Sequence, residues 1–144
     1  MKFVLPLLAA ISLFSAACRQ EASSPETPAA TDTVRVYFIT PVDGDTVRSP
    51  VTIQMGVEGV RLAPAGTMEE GTGHLHILID TDFIAPGQVI PNDSLHRHYG
   101  TGAAEATLEL PAGPHTLRLQ LADGAHIALE GDAYRDEIQI VVVE

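Results

Sequence analysis

The chain opens on an apolar run, Phe3 to Phe14, and only later settles into alternation. That run is too short to span a bilayer core, which needs about 20 apolar residues. Arg19 to Thr33 (RQEASSPETPAATDT) has no apolar periodicity, and its Pro, Ser, Thr, Ala and Glu cannot bury enough surface to order themselves. Beyond it the pattern is that of strands and turns. Val34 to Ile39 is β-branched and aromatic and stops at Pro41. Val51, Ile53, Met55 and Val57 alternate with Thr52, Gln54 and Gly56, the period-2 signature of a half-buried strand. His74 to Asp80 and Ala104 to Leu110 follow, and then His115 to Leu121, with leucines on one face and Thr, Arg and Gln on the other. Tyr134 to Val143 closes the series with alternating Ile138, Ile140 and Val142. Asp43-Gly44, PAGP and Asp123-Gly124 supply turns between them. Short strands at this spacing predict an all-β fold, an immunoglobulin-like antiparallel β-sandwich of about seven strands.

The opening residues change the address of that domain. Lys2, the apolar run and Ser15-Ala16-Ala17 before Cys18 form a secretory signal peptide over residues 1–17. Small residues directly before a lone cysteine resemble the lipobox of bacterial lipoproteins, although Ser15 stands where an aliphatic is commoner. The resemblance implies that Cys18 is acylated and becomes the new N-terminus. Residues 18–33 are then a lipidated, disordered tether and 34–144 the folded domain. Arg19 is not the aspartate that would hold a lipoprotein at the inner membrane, so the expected place is the periplasmic face of the outer membrane, with the membrane as partner through the lipid. Cys18 is the only cysteine, which excludes an intrachain disulfide and any thiolate site within the domain. The chain carries 8 basic and 19 acidic residues, a net charge of −11. Nucleic acid is excluded as a partner by the want of a basic face, and no protein partner is indicated.

Six histidines, at 74, 76, 96, 98, 115 and 126, crowd the second half. Two pairs are His-x-His, and in a strand residues i and i+2 point from the same face. His74 with His76, and His96 with His98, would each present two imidazoles toward one ion, and His126 could add a fifth nitrogen. Neutral imidazole suits copper and zinc. His115 is in register with Leu117, Leu119 and Leu121, which predicts a buried edge or turn histidine with satisfied nitrogens. Asp80 could orient a histidine from behind or cap a turn. Met55 is in phase with the core and Met68 offers a thioether.

GTGHLHILID (Gly71 to Asp80), LHRHYGTG (Leu95 to Gly102), PAGPHTLRLQLADGAH (Pro111 to His126) and the earlier APAG (Ala63 to Gly66) together resemble a bacterial family of secreted domains of unknown function, number 4399. Its pattern is a Gly-His-His-His strand, then His-x-His-(Phe/Tyr)-Gly, then Pro-x-Gly-x-His-Thr-Leu. The resemblance implies a small extracytoplasmic β domain without an established chemistry, and it implies that all six histidines are shared. Leu75 departs from the middle histidine of the triple, Leu129 from a further histidine, and Ala103-Ala104 from a common Gln-Thr pair.

The expected function is therefore an envelope-anchored lipoprotein whose histidine-rich domain binds a divalent transition metal, Cu or Zn, without catalysis. Two rivals stand beside it. One is a structural or protein-binding domain without metal. The other is a cupin-like mononuclear metalloenzyme built from His74, His76, Asp80 and His115; it requires His115 to lie beside the first pair. Enzymatic activity is not expected, and the chain shows no Gly-x-Ser-x-Gly motif for a hydrolase.

Overall fold

The computed structural model describes residues 33–144, so the signal peptide, Cys18 and almost all of the tether lie outside the described residues. Nine strands run β1 (Arg35–Thr40), β2 (Thr46–Arg48), β3 (Val51–Glu58), β4 (Arg61–Leu62), β5 (Thr72–Ile79), β6 (His96–His98), β7 (Glu105–Leu108), β8 (Gly113–Ala122) and β9 (Arg135–Val143). They form two sheets. One has the order β1-β3-β7; the other is β2-β9-β8-β5-β4, with β6 also paired to β5. The all-β sandwich expected from the alternation is the fold observed.

Its core is the sum of the inward alternating positions. Val36 and Phe38, Val51, Ile53 and Met55, and Ala106 and Leu108 come from the smaller sheet. Leu75, Ile77 and Ile79, Leu117, Leu119 and Leu121, and Ile138, Ile140 and Val142 come from the larger one. Leu117, Leu119 and Leu121 are wholly buried, so truncating one to alanine should cost about 2–5 kcal/mol.

Three strands were not visible in the periodicity. β2 lies inside the turn-rich stretch after Pro41 and pairs parallel with β9. β4 is two residues long and pairs parallel with β5. The sandwich is thus antiparallel except at these two short margins. A parallel pair needs a connection that carries the chain back, and residues 63–71 supply it between β4 and β5. β6, three residues long, pairs antiparallel with β5.

β5 is the strand that matters most. Each of its eight residues is buried. Leu75, Ile77 and Ile79 face the core, which leaves His74, His76 and Leu78 on the outer face of the sheet. An antiparallel sheet can leave such a face wet. Here the chain after β5 folds back over it. Gln120, on the outer face of the neighbouring β8, clamps that chain: the Ile84 N–H donates to Gln120 Oε1 at 3.0 Å and Gln120 Nε2 donates to the Ile84 carbonyl at 2.7 Å. Ile84 and Ile90 then pack with Ala122 and Ala128 in a small second cluster.

Candidate metal centre

Two imidazoles start the site, and two further chain segments complete it. His74 and His76 project side by side from β5, as their spacing requires. Antiparallel pairing sets His98 directly opposite His76, and their rings stack at 5.0 Å between centroids. His126 comes from the connection between β8 and β9. Asp123 builds that turn, its Oδ1 accepting the Ala125 N–H at 2.8 Å and the Ile127 N–H at 2.9 Å. His126 itself has φ 66°, a left-handed conformation that costs a non-glycine residue about 1–3 kcal/mol.

The supporting contacts are close. A Cβ at Gly100 would stand 2.2 Å from Cε1 of the His98 ring, so the imidazole lies where a side chain would be. Residues 63–67 tie the histidine-bearing segments together. The Ala63 N–H donates to the Gly73 carbonyl (2.9 Å), Ala65 to Gly100 (2.8 Å) and Gly66 to Gly124 (2.8 Å). A Cβ at Gly124 would meet the Thr67 carbonyl oxygen at 2.1 Å, so only glycine allows this approach.

His74, His76, His98 and His126 each offer one nitrogen, and those nitrogens all lie within 4.8 Å of one another. Ring centroids are 4.6 Å apart for His98–His126, 4.8 to 4.9 Å for the three pairs of His74, and 5.9 Å for His76–His126. Four imidazoles held tetrahedrally at about 2.0–2.1 Å from an ion would put their centroids about 5 Å apart and their nitrogens about 3.4 Å apart. The rings are therefore at ligand spacing and need only turn inward. The group contains no carboxylate, which disfavours the oxygen-seeking calcium and magnesium.

Electrostatics prepares the same chemistry. Burial, reinforced by the neighbouring imidazoles His126 and His98, lowers the pKa of His74 from 6.5 to about 4. His76, desolvated by burial and crowded by His74, His98 and His126, falls to about 3. His98 is also lowered, by desolvation and then by His126. All three are neutral at pH 7, with lone pairs free for a cation. One contact inside the group satisfies itself: His74 Nε2 and His126 Nδ1 are 3.1 Å apart, and one must donate to the other. Otherwise His74 Nδ1, both nitrogens of His76, and Nε2 of His98 are buried without a hydrogen-bond partner among the described residues. Buried polar atoms are rarely left so. The arrangement could hold a metal ion.

One expected ligand, His96, does not join the four, and His115 stands apart from them. His96 lies on the same sheet face, opposite Leu78, but its Nδ1 donates to Asp93 Oδ1 at 2.9 Å and the ring turns to that carboxylate. The five-histidine shell expected from the sequence is thus a four-histidine group. His115 is at the far end of β8. There β5 pairs Ile79 with Leu117, whereas His74 pairs with Ala122, so about seven residues at 3.3 Å each separate His115 from the cluster along the strand. This removes the cupin arrangement, which needs His115 beside His74 and His76. Asp80, with φ 53°, orients His115 and not a cluster histidine: His115 Nδ1 donates to Asp80 Oδ2 at 2.7 Å and Nε2 donates to the Pro111 carbonyl at 2.9 Å. The satisfied turn histidine expected at 115 is the one observed. Met55 is in the core and Met68 is exposed. The sequence missed Asp93, although an acid three residues before a histidine was a readable signal.

The family model described as "Domain of unknown function (DUF4399)" matches residues 53–143, a span that contains all six histidines. No curated protein matches the chain. Among solved structures, the fibronectin(III)-like modules of Clostridium thermocellum CbhA are similar at 15% identity and a TM-score of 0.41, over 76% of this chain and 46% of that one. The chain thus spans less than half the length of that structure.

Proposed function

The chain belongs to the DUF4399 family, whose description assigns no activity, and on the geometry of its histidines we propose that it binds one divalent transition metal ion, copper or zinc, in a non-catalytic role. The observation that carries this reading is the set of buried, neutral, unpartnered imidazole nitrogens at ligand spacing. Leaving such atoms unsatisfied costs about 1–3 kcal/mol each, and an ion removes several such costs at once. A four-nitrogen shell leaves no open position for a substrate, as in structural rather than catalytic sites.

The test is a titration of metal-free protein with Zn(II) and with Cu(II), followed by elemental analysis. One equivalent is expected, with a rise in Tm, and neither in His74→Ala/His76→Ala. Absence of both effects in the wild type refutes the proposal. A structural or protein-binding domain without metal is the second reading, favoured by the self-satisfying His74–His126 contact; it expects the double variant to lose stability with no ion present.

In the same proposal the domain stands outside the cytoplasm on a lipid carried by Cys18, a reading supported by residues 1–18 of the sequence. Labelling with radioactive palmitate in an expressing bacterium should mark the chain and fail to mark Cys18→Ser. Label on the variant would refute the anchor.

A further inference from the structure

Buried nitrogens at the edge of the site do not balance in donors and acceptors. A neutral imidazole has one N–H and one lone pair. His76 is fully buried, and neither nitrogen has a partner among the described residues. If its lone pair goes to an ion, the N–H on the other nitrogen still lacks an acceptor. Metal-bound histidines almost always give that second N–H to a carboxylate, a carbonyl or water.

A matching vacancy in acceptor terms lies beside it. Asp93 Oδ1 collects three donors: the Leu95 N–H at 2.9 Å, the His96 N–H at 3.0 Å and His96 Nδ1 at 2.9 Å. A carboxylate only accepts, so Nδ1 of His96 bears the proton and Nε2 of the neutral ring carries a lone pair. That Nε2 is buried and has no donor among the described residues. Register puts His98 opposite His76 and His96 opposite Leu78. His76 and His96 are therefore diagonal neighbours on one face, about 7–8 Å apart along the backbone and within reach of aromatic side chains.

We propose that His96 and Asp93 are positioning residues for the metal centre: when His76 binds the ion, its remaining N–H donates to His96 Nε2, and Asp93 holds His96 in the tautomer that accepts. The line Asp93–His96–His76 then runs from an exposed carboxylate to the buried centre. It fixes the His76 ring and brings a negative charge to bear on an ion whose four ligands are neutral. This rests on the metal-binding reading above.

The test uses the full chain and Zn(II). In the wild type, long-range nitrogen NMR of the zinc-bound protein should show a slowly exchanging His76 ring proton coupled to His96 Nε2. His96→Ala should weaken zinc binding by about 10- to 100-fold with one ion still bound and abolish that proton signal, whereas Asp93→Asn, which keeps the accepting oxygen and removes only the charge, should weaken it by less. His96→Gln, which restores an acceptor oxygen, should recover part of the loss. Asp93→Asn keeps the oxygen that orders the Asp93 turn, so it serves if His96→Ala misfolds. Unchanged affinity in both variants, or an unchanged His76 proton in His96→Ala, overturns the proposal while leaving the metal site intact. A second equivalent of zinc, lost in His96→Ala, overturns it by making His96 a ligand. Wild-type protein that takes up no zinc overturns the underlying reading as well.

Discussion

At one end of β5, His74 and His76 sit among other imidazoles, with His74 Nδ1 and both nitrogens of His76 unpartnered among the described residues; at the other, Asp80 and the Pro111 carbonyl grip His115 from both sides. The residue type is the same, and the chemistry is opposite. Desolvation and mutual repulsion drive the first group's pKa down, to about 4 for His74 and about 3 for His76. Desolvation also acts on His115, but hydrogen bonds to two acceptors and the charge of Asp80 outweigh it and raise the pKa. Two acceptors can both be satisfied only by the doubly protonated ring. The two grips on His115 thus favour its charged form. The cluster histidines are lone pairs in want of a cation.

The contrast is sharpest under single substitutions. His76→Ala should weaken zinc or copper binding by at least about 100-fold, since it removes one of four ligands from a closed shell. His115→Ala should leave affinity and stoichiometry untouched, and calorimetric titration of both variants would expose any exception. Gly100→Ala comes next. The clash is with the far end of the His98 side chain, so the ring can swing aside and the fold survive while a ligand is displaced. Affinity should fall by about tenfold or more with the circular dichroism unchanged. A loss of fold in place of affinity would mean that Gly100 serves the backbone.

The smallest effect belongs to the other end of the strand. Asp80→Asn should cost about 1–3 kcal/mol, the worth of hydrogen bonds to charged groups, without altering metal binding. The pH dependence has a definite sign. Because the folded pKa of His115 is raised above 6.5, its contribution is complete below pH 6.5 and fades as pH rises through the folded value. Urea melts of metal-free wild type and His115→Gln at pH 6 and 9 should show the gap between the two proteins narrowing at the higher pH. A constant gap would remove the charged clasp.

Much of this was legible in the chain, and the reasons for the rest are local. Alternation placed His74 with His76 on one face, because period 2 is a property of any strand. The register of His115 with three leucines predicted a buried edge or turn histidine, and the residue is half-buried near the start of β8. What could not be read was the partner of each short segment. β6 is three residues long, too brief for periodicity, yet its pairing alone decides that His98 faces His76. The diversion of His96 depends on one aspartate oxygen in the loop before it. Gln120 looked like an ordinary polar outer position on β8, and only the returning chain makes it a buried clamp. The histidines were visible; their sorting into four, one and one was a matter of tertiary pairing.

The separation of His74 from His126 along the chain has one more consequence. The two histidines lie 52 residues apart, in a protein whose single cysteine excludes an internal disulfide. An ion gripping both would close that loop in the unfolded as well as the folded chain whenever it stays bound, and a covalent cross-link of that span is worth about 4 kcal/mol in chain entropy. Metal would then be the staple that this small sandwich otherwise lacks.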